Sequence, residues 1–145
     1  MNLVNKAWLF AKQAHEGQLD DDGKSYFNAH CCHVANILRA SGCSDEVIAV
    51  GLLHDVMEDC EVYYSALVMN FGQVVADLVM EVTHEGTDDS VGYYFPKLHS
   101  RDGIMIKLAD RMSNLMRMDS WNIARQEHYL KKTRFWKRSM DDKTR

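Results

Sequence analysis

Proline is scarce in this sequence, and cysteine pairs of the C-x-x-C type are absent. The first favours a helical fold, and the second argues against a disulfide framework. Pro96 is the single proline among 145 residues, which fits a helix-rich chain because proline interrupts helices. No two cysteines have C-x-x-C spacing, and no export signal precedes them, so we expect reduced thiols rather than a disulfide framework. The cysteines are Cys31, Cys32, Cys43 and Cys60.

Long apolar runs and an excess of basic residues are also missing. No stretch is long enough to cross a membrane, and the first residues lack a signal-peptide pattern. The formal net charge of −4 argues against a nucleic-acid polymer as partner, because such binding depends on neutralising phosphates. A small phosphorylated nucleotide needs only a local basic pocket. We therefore expect a cytoplasmic protein that binds neither membranes nor nucleic-acid polymers.

Apolar residues instead recur at helical spacing, and strand-type alternation persists nowhere, so the predicted fold class is all-α. The length indicates one domain, residues 1–140, followed by a frayed tail, residues 141–145. Ser44 is a natural N-cap for the helix that carries the central motif described next. The other predicted helices span about 2–16, 28–40, 63–69, 72–83, 96 onward and 123–138.

The segment from His54 to Asp59 places several polar groups at the end of an apolar helix. Residues three and four apart share a helix face, so Asp55, Glu58 and Asp59 are predicted to lie together, with His54 at one edge. Burying such groups is unfavourable unless an ion or a substrate compensates them. An imidazole beside a carboxylate suits a divalent transition metal, although two ligands leave its shell incomplete.

His30 and Asp110 could complete that shell. Asp110 follows the apolar run Ile104-Met105-Ile106, which should draw it inward, where an unpaired carboxylate is rare. Taken singly, His30 could be an ordinary polar residue at a helix start, and Asp110 could belong to a helix ion pair. Together with His54 and Asp55 they make two imidazoles and two carboxylates.

This set of residues resembles the HD-domain metal-dependent phosphohydrolases. More narrowly, the chain resembles the hydrolase domain of the RelA/SpoT alarmone enzymes and their small stand-alone relatives, which implies an HD-domain helical bundle. The matching segments follow the family order: His15-Glu16-Gly17-Gln18, His30, Leu52-Leu53-His54-Asp55-Val56-Met57-Glu58-Asp59, Phe71-Gly72, Glu81-Val82-Thr83, and Lys107-Leu108-Ala109-Asp110-Arg111 with Asn114.

The resemblance also implies an activity, the 3′-pyrophosphohydrolysis of (p)ppGpp-like nucleotides. Glu58 and Asp59 would orient or deprotonate the attacking water, and Asn114 would contact the substrate sugar or phosphate. A bound metal lowers the pKa of water toward about 7 and polarises a phosphoryl oxygen. In this family the ion is Mn²⁺, and its ligands here would be His30, His54, Asp55 and Asp110.

One segment departs from the family pattern. The alarmone hydrolases usually carry basic residues after His-x-Gly-Gln, whereas this chain has Asp20-Asp21-Asp22. Two like charges about 4 Å apart repel by about 4 kcal/mol at an effective dielectric near 20, so the loop could turn a pyrophosphate away. If the loop points into solvent, screening makes it nearly neutral.

The acidic loop keeps two alternatives open. The same metal site could hydrolyse another nucleotide or phosphate ester, or the domain could be a non-catalytic nucleotide-binding module. Glu58 and Asp59 argue against the module, which would not need a base. Substrate binding could have moved to Tyr93, Lys97 and Arg101. Their ordinary alternatives are a loop-anchoring aromatic for Tyr93 and a solvated helix surface for the basic pair.

Overall fold

The computed structural model describes residues 1–84 and 98–132, and within them the chain is helical without a β-strand. This confirms the predicted all-α class. A π-helical turn at Phe27–Cys31 precedes α2, and a 3₁₀ turn at Met118–Ser120 precedes α8. The α-helices are α1 Leu3–Ala14, α2 Cys32–Ala40, α3 Asp45–Leu53, α4 Val56–Asp59, α5 Tyr64–Phe71, α6 Gln73–Val82, α7 Arg101–Arg117 and α8 Ile123–Lys132.

The helix α3 lies at the centre of the fold. Ser44 caps it as predicted, with its Oγ accepting a hydrogen bond from the Val47 backbone N–H at 3.3 Å. Every residue from Val47 to Leu53 is buried, and α3 packs against α1, α2, α6 and α7. A helix that is apolar on all sides is typical of a core helix. Its carboxyl end therefore delivers His54 into the protein interior.

Gly51 allows α2 to pack closely against α3. A Cβ at this position would lie 2.7 Å from Leu38 Cδ1 and 3.4 Å from Ala35 Cα. Those two residues are on α2, directly after the turn that carries His30. The missing side chain thus helps to bring His30 and His54, which belong to different helices, within reach of each other.

The prediction of one continuous helix through the central motif was wrong. The helix α3 ends at Leu53, a turn at His54 and Asp55 follows, and the short helix α4 begins at Val56. Asp55 has a φ of −103° and a ψ of 0°. Glu58 and Asp59 therefore lie on a separate short helix and not on α3.

The second predicted helix also begins differently. Residues Phe27–Cys31 form a π-helical turn, and the α-helical geometry starts only at Cys32. Single π-helical turns are rare and frequently occur at functional sites. His30 lies on this turn and is fully buried.

A buried carboxylate anchors the start of α7. Glu81, at the end of α6, accepts hydrogen bonds from the backbone N–H groups of His99 (3.1 Å) and Ser100 (2.8 Å). Ser100 is the N-cap of α7, and a Cβ on Gly103 would collide with the Glu81 carboxylate. A negative charge at a helix N-terminus is stabilising. This contact fixes the helix that carries Asp110.

Several predictions lie outside the described residues. They concern the loop from Glu85 to Pro96, the end of the last helix at Arg138 and the tail. The long helix predicted from about Pro96 begins later, at Arg101, because residues 98–100 are not helical and Ser100 caps the helix. Within the described ranges the four cysteines are free thiols. None of the helices there has the length and apolar character needed to cross a bilayer.

Candidate metal centre

Two histidines and an aspartate from three separate helical segments meet in the core. His30 Nε2 lies 3.3 Å from His54 Nε2 and 2.9 Å from Asp110 Oδ1, and His54 Nε2 lies 3.4 Å from the same oxygen. Both imidazoles are fully buried, and Asp110 is 5% exposed. These residues form a group whose ligand atoms all lie within 4.8 Å of one another.

Asp55 joins this group through both imidazoles. Its Oδ2 is 3.1 Å from His54 Nε2 and 3.6 Å from His30 Nε2. The same oxygen accepts a hydrogen bond from the Tyr26 hydroxyl at 2.6 Å. The structure therefore brings together all four of the ligands predicted from the sequence. The Tyr26 contact was not predicted, because an aromatic residue four positions before His30 carries no signal of its own.

The Nδ1 atom of each imidazole, which points away from the cluster, also has a hydrogen-bond partner. His54 Nδ1 lies 2.7 Å from the Gly51 carbonyl oxygen, which can only accept, so Nδ1 carries a proton and Nε2 is the atom through which this ring would bind a metal. His30 Nδ1 lies 2.9 Å from the Ser113 hydroxyl. Such hydrogen bonds orient the imidazoles that bind metals in proteins.

The two predicted catalytic carboxylates occupy different places. Glu58 lines a cavity of about 150 Å³ beside the four clustered side chains, and its carboxylate accepts a hydrogen bond from the His84 backbone N–H. Asp59 accepts one from Gln18 Nε2 at 3.3 Å and is not among the cavity-lining residues. The cavity is lined by Tyr26, Asp55, Glu58, His84, Lys107, Asp110, Arg111, Asn114 and Tyr129.

Of the substrate-binding residues predicted from the sequence, only some lie in the described part of the structure, and these occupy different places. Asn114 lines the cavity, donating to the Tyr129 hydroxyl at 3.1 Å and accepting from Arg117 at 3.0 Å. Arg101 is exposed and begins α7 nine positions before Asp110, which is about 13 Å at 1.5 Å per residue. Tyr93 and Lys97 lie outside the described residues.

Comparison with known protein families matches the segment that carries His30, His54 and Asp55. Residues 7–91, more than half of the chain, match the family described as HD domain. The chain belongs to the HD-domain family. Asp110 lies beyond the matched segment, and the structure places it beside the two histidines.

The relatives of this HD domain include much longer proteins. A probable guanosine-3′,5′-bis(diphosphate) 3′-pyrophosphohydrolase of Synechocystis sp. is 31% identical over 143 residues, covering 91% of this chain and 19% of the relative. A guanosine-3′,5′-bis(diphosphate) 3′-pyrophosphohydrolase of Vibrio cholerae is 32% identical over 126 residues, covering 79% and 18%. The chain thus spans about a fifth of the length of the curated relatives it matches.

A solved structure of similar size has the same fold. It is described as a metazoan ortholog of SpoT that hydrolyzes ppGpp, and it superimposes with a TM-score of 0.78 at 25% sequence identity. The match covers 93% of this chain and 83% of that one. The resemblance to hydrolase domains of the RelA/SpoT type, inferred above from short motifs, is confirmed.

The spacing of His30, His54 and Asp110 in this HD domain fits a divalent metal ion. Asp55 lies within 3.6 Å of both imidazoles, so it adjoins the same position. Ligand atoms about 2.0–2.2 Å from one ion lie roughly 2.8–3.6 Å apart for tetrahedral or octahedral angles. The measured separations run from 2.9 Å, between His30 and Asp110, to 3.6 Å, between His30 and Asp55. Two imidazole nitrogens with two carboxylate oxygens are a donor set that suits transition metals.

The electrostatics of the cluster also favour a cation. Burial alone would raise the pKa of Asp110, but Lys107, with its Nζ 3.1 Å from Oδ2, and the two imidazoles hold that pKa well below the usual value. Burial opposes ionisation of Asp55 in the same way, and His54 keeps its pKa low. The two carboxylates are therefore ionised where their oxygens face the imidazoles. Such an arrangement attracts a positive ion.

Glu58 differs from these carboxylates. The packing of protein around its carboxylate, followed by the charge of Asp55, raises the pKa of Glu58 to about 7. The residue is nevertheless exposed by surface area, and both water access and a bound cation would stabilise its ionised form. We therefore take about 7 as the upper limit of this pKa. A carboxylate with a pKa near neutrality is well suited to accept a proton from water.

A second cleft, of about 220 Å³, adjoins the cavity of the HD domain. Tyr26, Asn114 and Tyr129 line both spaces. The cleft also contains Trp121 and the exposed His128, together with the two arginines Arg117 and Arg125. The guanidinium carbon of Arg117 lies 5.5 Å from the Tyr26 ring centre, and that of Arg125 lies 3.8 Å from the Trp121 ring centre.

These two arginines are the partners of the acidic loop. Arg117 Nη1 lies 3.6 Å from Asp20 Oδ2, and Arg125 Nη1 lies 2.6 Å from Asp21 Oδ2. Asp20 also accepts hydrogen bonds from the backbone N–H groups of Asp22 and Lys24, both at 2.9 Å, which fix the loop. Two of the three loop charges are thus matched by arginines that the sequence analysis did not connect with them.

Proposed function

We propose that this HD domain is a Mn²⁺-dependent hydrolase that removes the 3′-pyrophosphate from (p)ppGpp or a closely similar nucleotide. One observation carries the proposal: two imidazole nitrogens and two carboxylates converge in the core directly beside a cavity lined by Glu58. The family membership, the printed names of the two relatives described above and that of the solved structure support the substrate class.

Within this proposal, the metal is held by His30, His54, Asp55 and Asp110. A bound divalent ion lowers the pKa of water toward about 7 and polarises a phosphoryl oxygen. Tyr26 orients Asp55 through its hydroxyl, and Lys107 keeps Asp110 ionised. Glu58 accepts the proton of the attacking water. Asp59, which contacts Gln18 outside the cavity, positions this segment rather than touching the reacting atoms.

We further propose that the rest of the nucleotide lies in the adjoining cleft. Asn114 would contact its sugar or phosphate, a role supported by its position in the lining of both the cavity and the cleft. Arginine and aromatic side chains recognise phosphates and bases through charge and stacking, which makes Arg117, Tyr26 and Trp121 suitable neighbours. Residues 1–140 then act as a single hydrolase domain, and the free cysteines are consistent with our expectation of a cytoplasmic location.

Hydrolysis of a different nucleotide on the same metal site is the second candidate. The observation that favours it is the acidic loop, which replaces the family's usual basic residues. A panel of nucleotides, including ppGpp, pppGpp, GTP and nucleoside monophosphates, tests the two candidates. The protein is first stripped with a chelator and then reloaded with Mn²⁺, and products are identified by chromatography. We expect a clear preference for nucleotides with a 3′-pyrophosphate. Preference for a nucleotide without one would favour the second candidate.

A direct prediction concerns the loop. With Asp20→Arg and Asp21→Lys combined, kcat/KM for ppGpp should stay the same or fall, by at most about 30-fold, because the two lost ion pairs together contribute about 0.4–2 kcal/mol. The physical reason is that Arg117 and Arg125 already offset the two aspartates.

Asp22→Lys provides a matched control, since it changes the charge of an exposed neighbour whose carboxylate is not in either ion pair. Steady-state kinetics of the three proteins decide the matter. A gain of tenfold or more in the double variant alone would show that the loop repels ppGpp and that another substrate was selected.

A further inference from the structure

Ser113, a buried residue of α7, contacts two histidines, His30 on the π-helical turn and His33 on α2. Its side chain is completely buried. Its Oγ lies 2.9 Å from His30 Nδ1 and 3.0 Å from Nδ1 of the half-buried His33. His33 is one helical turn after His30 along the chain, so both rings reach α7 from the same direction. Nothing in the proposed reaction uses His33.

The position of one proton on His30 decides whether this ring can bind a metal. Ligation through Nε2 requires a lone pair there, so the neutral ring must carry its proton on Nδ1. That N–H then donates to Ser113 Oγ. The serine hydroxyl has a proton of its own, which it can donate to His33 Nδ1, 3.0 Å away. His33 in turn carries its proton on Nε2.

His54 does not need such an arrangement. Its Nδ1 faces the Gly51 carbonyl oxygen, which has no proton to give and therefore specifies the tautomer alone. A serine hydroxyl is ambiguous, because it can either accept or donate. If Ser113 donated to His30 Nδ1, the ring would carry its proton on Nε2, pointing at the metal ligands. Whether Ser113 accepts a proton from His30 or donates one to it therefore depends on His33, its other partner.

We propose that Ser113 and His33 are positioning residues of the metal centre, which together hold His30 in the tautomer that leaves Nε2 free. His33 accepts the serine proton, Ser113 accepts the His30 proton, and Nε2 faces His54 and Asp110. This inference depends on the proposed metal centre but not on the proposed substrate. It is therefore tested by metal binding and not by hydrolysis.

The matched pair of variants is His33→Leu and His33→Asn. Asparagine can place its Oδ1 near the site of Nδ1 and accept the serine proton, whereas leucine cannot. We expect Mn²⁺ affinity, measured by titration, to fall in His33→Leu and to stay near the wild-type value in His33→Asn. Ser113→Ala removes the acceptor of His30 itself. Its affinity should fall about 10–100-fold, the usual effect of losing a hydrogen bond to a metal-bound histidine.

A spectroscopic measurement adds a result that a merely structural role would not produce. In ¹⁵N-labelled protein loaded with diamagnetic Zn²⁺, the ring nitrogens of His33 should show the proton on Nε2 and an accepting Nδ1. Equal Mn²⁺ affinity in wild type and His33→Leu, or a proton on His33 Nδ1, would overturn the proposal. The His33 variants keep the test valid if Ser113→Ala fails to fold. Retention of metal by His54→Ala would instead refute the metal centre itself.

Discussion

Replacing His54 with alanine is expected to abolish stoichiometric binding of the divalent ion and, with it, all metal-dependent hydrolysis. His54 Nε2 lies within 3.4 Å of His30, Asp55 and Asp110 ligand atoms, so its removal leaves a gap in the middle of the set. Asp110→Ala should have the same effect. Elemental analysis of protein purified without chelator gives the occupancy directly.

The control for this pair is His99→Ala, which removes a histidine whose side chain is 79% exposed and lies outside the cluster. The control should bind one ion per chain, as the wild type does. Thermal unfolding provides an independent readout, because a ligand at 100 times its Kd stabilises the native state by about 2.7 kcal/mol. A chelator should therefore lower the Tm of wild type but not of His54→Ala. Full occupancy in both alanine variants would contradict the assignment of ligands.

Glu58→Gln should keep the metal and lose most turnover. Glutamine is nearly isosteric but cannot accept a proton, and general acid–base groups typically contribute about 10²–10⁴-fold to the rate. The loss should appear in kcat. Asp59→Asn should have a smaller effect, because Asp59 contacts Gln18 and does not line the cavity. The sequence alone predicted equal roles for these two carboxylates.

The pH dependence gives this second prediction a specific signature. Glu58 can accept a proton only when it is ionised, so activity should fall as the pH falls through its pKa, at or below about 7. Glu58→Gln should lack this acidic limb. Glu61→Gln, an exposed glutamate three residues later, is the matched control and should behave as wild type. A wild-type rate and pH profile in Glu58→Gln would place the base elsewhere.

Local pattern was sufficient for most of the helices and for picking out the polar residues that the fold brings together in the core. Ser44 marks the start of α3, and the apolar residues that follow predict its burial. His54-Asp55, His30 and Asp110 stand out because buried polar groups need compensation. The break after Leu53 could not be predicted in the same way, since neither glycine nor proline interrupts the segment from Leu52 to Asp59. Packing of the tertiary structure overrides local helix preference there.

Long-range pairings were the other part that the sequence did not reveal. Asp20 and Arg117 are far apart in the chain, and the residue pattern around either one gives no indication that their side chains pair. The acidic loop therefore suggested repulsion of phosphates, whereas the fold shows that two of its aspartates face arginines. Tyr26 and Ser113 escaped notice for the same reason, because single hydroxyl groups acquire a role only when the fold places them beside Asp55 and His30.

The most direct measurement is the reaction of the wild-type protein, stripped of metal and reloaded with Mn²⁺, with ppGpp in ¹⁸O-labelled water. The account predicts GDP and pyrophosphate as the products in ³¹P NMR, with the label in pyrophosphate, and no reaction before metal is restored. Full activity in the stripped protein, or failure of the Mn²⁺-loaded protein to release pyrophosphate from ppGpp, would contradict it.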